Sequence, residues 1–491
     1  INDNLHFMKF NHVLALNPYY KDSTSVVGLF PPTGIEYIAT SMKGLVGKIT
    51  LMDLRHEKEF QDLNNLNEFI TKEIDLVCIS ITWNFNFKEI CELICKLPDD
   101  IPVVVGGYKA TEEVEHLFNR CPTIDVIVRG EGDETIKEIV RGAPYKDILG
   151  ISYRENGKIV HNNNRPLVDV NSISFPDRGL RKNNYHLVVH GIKLTNLTFD
   201  TILTTRGCPY QCKFCTFSLN PLGQKRTYAE RSLESVIEEL KTISADVVLF
   251  SDDNFFTNPK RSERLCDLII ENNIKKIFTV QTRIEIAKHP VLLKKAEKAG
   301  FKLFLIGIES PHDRILEQLQ KGFTQQKIRE AFKELNKYNF YLHGYFIYGN
   351  IGETEEEMVY IADFAKDLKL DTINFQKLRM EKYSLLKEVI AKTPGYYYDN
   401  NGGPVYSDQF SLKDLKRIRN KIKSSFYNFQ QIRHIVSKVW RIGLITKVDL
   451  IMFVLFLPLL LFRVLKREVL KRVRSKEPGF VVKLIRFYQT S

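Results

Sequence analysis

Short apolar runs of strand length alternate with helical patterns twice along this chain, and that double rhythm limits it to two β/α units in series. The first series occupies Val13 to about residue 142, with runs at Val13–Leu16, Ile49–Leu54, Leu76–Ser80, Val103–Val105 and Val126–Val128. Strands each followed by a helix predict a doubly wound parallel sheet, with ligands beyond the carboxyl ends of the strands. Those ends are Asn17, Asp53, Ser80 to Thr82, Gly106-Gly107 and Arg129-Gly130-Glu131-Gly132. The two glycine-rich ends let a large flat or phosphate-bearing ligand approach the backbone closely.

The second series predicts strands at Thr201–Thr205, Val247–Phe250, Ile277–Val280, Leu303–Ile308, Leu342–Ile347 and Thr372–Phe375, a partial parallel (β/α)6 barrel. Chemistry in such barrels gathers at the C-terminal strand ends. Here these are Cys208 to Cys215, Ser251 to Asn254, Gln281 to Arg283, Glu309-Ser310, Tyr348 to Asn350 and Gln376-Lys377. The expected division is a doubly wound domain over 1–142, a polar connector with a little β structure over 143–196, the barrel over 197–390, and a mainly helical C-terminal region over 391–491. A length of 491 residues suits about three such units at roughly 150 residues per domain.

Near the C-terminus, residues 450–462 form an uncharged run of 13, too short to span a bilayer and broken by Pro458. The segment Arg463 to Arg486 then carries nine Lys/Arg against Glu468 and Glu477, a composition suited to anionic headgroups. A tail lying on the inner face of the cell membrane is expected; the alternative is a buried helix packed on the barrel with a solvated basic face. Lys plus Arg exceed Asp plus Glu by 71 to 59, which implies an anionic partner of some kind. Basic residues are not interleaved with aromatics as on a nucleic-acid surface, so no nucleic acid is expected. With 44% hydrophobic and 26% charged residues, disorder and a polytopic membrane protein are excluded.

Eight cysteines are too few for a secreted disulfide scaffold, and no secretory leader pattern is read at the start, so a reducing, cytoplasmic setting is expected. Cys208, Cys212 and Cys215 fall at C-x3-C-x2-C spacing directly after a predicted strand, whereas Cys91 and Cys95 share a helical face without a matching histidine and read as packed thiols. Three thiolates from one tight loop can ligate three irons of a cubane and leave the fourth open. A structural zinc would want a fourth ligand, and none stands nearby.

This spacing, with Phe214 just before the third cysteine, resembles the radical S-adenosylmethionine (SAM) superfamily. The resemblance implies a 4Fe-4S cluster held by Cys208, Cys212 and Cys215, whose open iron chelates SAM, and reductive cleavage of SAM to a 5′-deoxyadenosyl radical. It further implies that Phe214 packs near the adenine, that Asp252 and Asp253 stand where the SAM amino group is received, and that Glu309 and Ser310 lie near the ribose. Arg283 is expected to pair with the SAM carboxylate or a substrate anion. A reductant such as flavodoxin or ferredoxin is implied as partner.

The segments Pro31 to Tyr37, Val105 to Thr111 and Val128 to Thr135 resemble the cobalamin-binding domain that precedes the barrel in one radical SAM class. That resemblance implies a corrin lying over Ser80, Thr82, Gly106, Gly107, Gly130 and Glu131. Asp53-Leu-Arg-His56 departs from the usual lower-ligand motif, so no protein imidazole is expected below the cobalt. The resulting expectation is a cobalamin-dependent methyltransferase acting on an unactivated carbon of a hydrophobic, lipid- or isoprenoid-like small molecule. The alternatives are a radical SAM enzyme of the same architecture that closes a ring or joins carbons, with or without cobalamin, and a non-catalytic iron–sulfur carrier.

Overall fold

The computed structural model describes residues 8–19, 29–82, 85–189, 192–216, 219–381, 383–398, 403–446, 448, 449, 451 and 455. A first seven-stranded sheet holds β1 (His12–Asn17), β2 (Lys48–Asp53), β3 (Leu76–Ser80), β4 (Val103–Gly106), β5 (Val126–Val128), β6 (Ile151–Glu155) and β7 (Lys158–His161) in the order β2-β1-β3-β4-β5-β6-β7. The first five strands pair in parallel. All six residues of β1 are buried, as a central strand covered on both faces requires. The order reverses direction beside β1 and β3, and it is at such a switch point that a crevice opens above the strand ends.

A second seven-stranded sheet follows, of β8 (Tyr185–Val189) and β9 (Ile192–Ile202), then, past the short antiparallel pair β10 (Thr205–Arg206) and β11 (Ala229–Glu230), of β12 (Val247–Phe250), β13 (Ile277–Thr282), β14 (Phe301–Glu309), β15 (Tyr341–Tyr348) and β16 (Thr372–Lys377). Its order is β16-β15-β14-β13-β12-β9-β8, with the six strands from β9 to β16 parallel and β8 an antiparallel edge. This is the expected half-barrel.

One local expectation changes. The strand expected at Thr201–Thr205 is instead a long β9 that stops at Ile202, because Asp252 takes the backbone N–H groups of Thr204 and Thr205 at 2.7 and 2.8 Å and ends the ladder there. The polar segment after residue 142 contributes strands to both sheets. Its β6–β7 hairpin extends the first sheet and its β8 extends the second.

A phenylalanine-rich core fills the half-barrel: Phe250, Phe278, Phe301 and Phe304 are fully buried, and Phe250 meets Phe301 with ring centroids 5.4 Å apart. The helix Leu412–Phe426 joins this core through Leu415, Ile418, Ile422 and Phe426. The helix is fastened to Glu355 by Arg417 at 2.6 Å and by Lys421 at 2.5 Å.

Charged side chains join the two sheets. Arg181 bridges Glu36 on the helix Thr33–Ser41, at 2.5 Å, to Asp200 on β9, at 2.7 Å. Arg178 continues the chain from Asp200 to Glu239, and Arg231 closes it on Glu239 at 2.5 Å.

The apolar run 450–462 lies outside the described residues except for Leu455 and Ile451, and so does the basic stretch 463–486. Among the described residues no helix is long and apolar enough to cross a membrane.

Beyond β15, Glu353 is buried at 2% exposure, with Oε2 accepting the backbone and side-chain N–H groups of Asn350 and with Oε1 unpartnered. Burial pushes this carboxyl up to about 7 against the opposing Asn350 hydrogen bonds. A folded-state value above the unfolded one means that the stabilisation is complete below the unfolded value and is lost as pH rises through the folded one. The wild type should therefore lose of order 3 kcal/mol between pH ~4.5 and ~7 from this group. Glu353→Gln should remove that slope, so the denaturation midpoint of the variant gains on the wild type between pH 5 and pH 8. A constant difference between the two across this range refutes the assignment.

Candidate active site

Above the first sheet a cavity of about 440 Å³ is lined by Ser80, Thr82, Gly106, Gly107, Gly130 and Glu131, together with Tyr37, Tyr108 and Asp133. All six residues expected under a corrin thus border one space. Its floor is flat because of glycine. A Cβ added at Gly34 would meet nothing within 4 Å, and one at Gly106 nothing nearer than Val128 at 3.6 Å, so side chains there would fill the cavity itself. Gly107 is required for another reason: its φ is +102° and a Cβ would lie 2.7 Å from the Ile81 carbonyl oxygen. A broad, mainly apolar bed of this kind fits a large planar macrocycle.

No histidine occurs among the described residues lining the cavity. His56 lies at the end of β2, edge-on to the Tyr185 ring at 5.0 Å, and burial lowers its pKa. Three barrel residues, Leu203, Arg206 and Ser251, complete the wall. Arg206 spans to Glu131 and Asp133 at 3.3 Å each, tying the first domain to the strand just before Cys208.

The second cavity, about 590 Å³, opens at the C-terminal ends of the barrel strands and is bordered by Cys208, Cys212 and Cys215. Among the described residues no three His, Cys, Asp or Glu side chains close around a single-ion site; the half-buried thiols line the cavity rim. The loop that carries them is held by its own backbone and by segments packed against it. Gly207 takes φ +86°, where any Cβ would collide with the Arg226 carbonyl. The Cys215 N–H donates to the Cys212 carbonyl at 3.1 Å, and the Lys213 N–H donates to the Leu319 carbonyl at 3.0 Å. Burial raises the Cys208 thiol pKa. Three thiols on one tight loop beside open space fit a cubane gripped at three corners.

Phe214, Asp253, Glu309 and Arg283 border the same cavity. Asp253 is pushed up to about 6 by burial and by the charge of Asp252. Glu309 stands in a left-handed backbone at φ +71°, uncommon for a non-glycine residue, and its Oε1 lies 3.2 Å from the buried Lys321 ammonium. Gly307 makes room for that carboxylate, since a Cβ there would sit 2.8 Å from Glu309 Oε1.

Three expected contacts are placed differently. Asp252 is fully buried and borders neither cavity; its oxygens are held by Thr204 and Thr205, including the Thr204 hydroxyl at 2.6 Å, so it anchors the segment leading into the thiol loop. Ser310 is also fully buried and turned away, its hydroxyl accepting from the His312 N–H at 3.2 Å. Arg283 lines the cavity, but its donors serve the protein. Nη1 donates to Cys212 Sγ at 3.4 Å and Nη2 to Glu285 at 2.9 Å, Nη2 also reaches the Lys321 carbonyl, and the guanidinium stacks on Tyr210 at 3.8 Å. These contacts hold the guanidinium against the loop that carries Cys212.

Asn254, at the strand end expected from the sequence, has its Oδ1 buried without a partner at the edge of the second cavity, whereas Lys321, on the same lining, was missed by sequence reasoning. Lys321 lies in a turn between two helices and carries no motif; only its approach to Glu309 and Phe214 marks it.

Comparison with known proteins agrees with this geometry. Residues 202–365 match the family model described as Radical SAM superfamily, and residues 23–140 match the B12 binding domain. The chain is 28% identical over 431 residues, 84% of its length and 92% of the relative's, to the Uncharacterized methyltransferase PH0819 of Pyrococcus horikoshii. It is 24% identical to the Anaerobic magnesium-protoporphyrin IX monomethyl ester cyclase of Cereibacter sphaeroides over 73% of this chain and 60% of that one. Among solved structures, the radical SAM methyltransferase TsrM from Kitasatospora setae superposes with TM-score 0.64 at 16% identity, covering 89% of this chain and 90% of that chain, and shares the fold. The cofactor set that accompanies the two domains is a 4Fe-4S cluster, SAM and cobalamin. The protein is an enzyme of the radical SAM superfamily, in the class whose barrel is preceded by a B12 binding domain.

Proposed function

We propose that this enzyme is a cobalamin-dependent radical SAM methyltransferase that methylates an unactivated carbon of a hydrophobic small molecule, with electrons from a flavodoxin- or ferredoxin-type reductant. When bound, the cofactors supply one-electron chemistry that opens a carbon–hydrogen bond, and a methyl donor. The work of the chain is to hold and shield them. Cys208, Cys212 and Cys215 hold the cluster and leave one iron free for SAM. Phe214, Asp253, Glu309 and Lys321 border the space that SAM would take. The glycine floor at Gly106 and Gly107 beds the corrin, while Leu305, Phe346, Ile347 and Leu378 exclude water from the reacting carbon.

One observation carries this reading. The wall of the first cavity includes Arg206, two residues before Cys208, and Ser251, two residues before Asp253 of the second cavity. A cofactor in the first site and one in the second would therefore share a wall at the reacting ends, which suits methyl transfer between them and suits no simple electron carrier.

The test is anaerobic reconstitution with iron, sulfide and hydroxocobalamin, followed by product analysis. Methyl transfer should yield S-adenosylhomocysteine and 5′-deoxyadenosine in equal amounts per methylated product. The likeness to the anaerobic cyclase supports a ring-forming alternative, and deoxyadenosine without homocysteine product would decide for it.

A surface-lying C-terminal tail is the second part of the proposal. The helix Phe429–Arg441 supports it, with Phe429 80% exposed, Ile432 51%, Val436 45% and Trp440 40% along one stripe. Deleting residues 442–491 should move the enzyme from the membrane fraction to the soluble one; unchanged partitioning would leave the tail as a packing element.

A further inference from the structure

Beyond the cluster, the second cavity continues toward β16, where its lining turns apolar with a cationic end. Leu219, Leu305, Phe346 and Leu378 form the apolar part. Lys377 closes β16 and borders the cavity, with Lys225 and Arg379 at the same margin. Most charges in this cavity are matched: Lys321 by Glu309, Arg283 by Glu285 and Arg379 by Glu381. Lys377 is not. It is half-buried, and among the described residues its ammonium has neither a hydrogen-bond nor an ion-pair partner. Burial lowers its pKa first, and the neighbouring positive charges of Arg379, Arg419 and Lys416 lower it further.

A partly desolvated ammonium among like charges is unfavourable in the free protein. Such a group at the edge of a reaction chamber is relieved when an anion enters beside it. The neighbouring Leu and Phe side chains in turn ask for an apolar body of several carbons.

We infer that the substrate is an amphiphile whose anionic head, a phosphate or carboxylate, is received by Lys377 with help from Lys225, while its apolar body lies along Leu305, Phe346 and Leu378 toward the cluster. This inference rests on reading the second cavity as the substrate chamber, and it adds the polarity and direction of the substrate. The apolar body would bring a carbon to the reacting end, and the head would fix how far it can slide. The lysine is a binding residue here and takes no part in bond breaking.

The test is equilibrium binding to the anaerobically reconstituted enzyme with SAM and cobalamin present, using dodecyl phosphate, dodecanoate and dodecanol below their aggregation limits at fixed ionic strength. The phosphate and the carboxylate should each bind at least tenfold tighter than the alcohol. Lys377→Met should reduce that advantage to less than threefold, and Lys377→Arg should retain most of it. SAM affinity, measured in parallel, should be the same in both variants as in the wild type. Equal affinity for all three probes in the wild type overturns the inference, as does an anion advantage that survives Lys377→Met. A loss of SAM affinity in Lys377→Met also overturns it, because the lysine would then be serving SAM. Binding is read apart from turnover. An enzyme that forms no S-adenosylhomocysteine but prefers the anions would refute methyl transfer and keep the anion site, and the opposite pair of results would do the reverse.

Discussion

Replacing Cys212 by alanine is expected to cut SAM cleavage at least about 10³-fold, to the background of the assay, a loss of more than about 4 kcal/mol of barrier lowering. Two thiols from one loop cannot grip three corners of a cubane, so iron and sulfide contents should fall with activity. The substitution also takes from Arg283 its sulfur acceptor at 3.4 Å, while the ion pair to Glu285 keeps the guanidinium in place. Cobalamin uptake should persist, because Cys212 does not border the first cavity. Iron content, 5′-deoxyadenosine formation and cobalt content measured on one preparation separate these effects. Continued deoxyadenosine production by the variant would refute the cluster assignment.

The largest stability effect is expected at Arg181. Its guanidinium is the only direct link in the buried network between Glu36 of the first domain and Asp200 of the barrel among the described residues, and both carboxylates are 2% exposed. Arg181→Met would strand Glu36 without a counter-ion, at a cost of about 3–5 kcal/mol for breaking one partner out of a buried pair. Asp200 would keep Arg178 at 2.7 Å. Adding Glu36→Leu to Arg181→Met should recover much of the loss, since the stranded charge is then gone. Chemical denaturation of the single and double variants measures both quantities. A single variant within about 1 kcal/mol of wild type would mean that water reaches Glu36 and that the network is not dry.

Legibility from sequence followed distance along the chain. Val126–Val128 and Val247–Phe250 were read with the bounds the strands have, because an apolar run between polar turns is a local signal. The thiol loop and the Gly106-Gly107 end were legible for the same reason: Cys208 to Cys215 sit within one turn, and a glycine at φ +102° announces itself by being glycine. The surroundings of Asp252 are not legible in the sequence, because a strand-end acid looks the same whether it faces a ligand or a neighbouring backbone. Its oxygens are taken by the N–H groups of Thr204 and Thr205, which follow β9. Arg283 likewise reads as a free cation until Glu285, Tyr210 and Cys212 are seen around it.

By itself, the sequence determined the two β/α series, the place of the thiol loop after a strand and the glycine-rich ends of the first sheet, since each depends on residues within one element or one turn. Only the tertiary structure decided that Arg206 and Ser251 close the first cavity, that Lys321 pairs with Glu309, and that Lys377 is left without a counter-charge. These outcomes depend on which groups from separate strands compete for the same partner, and burial sets the strength of that competition.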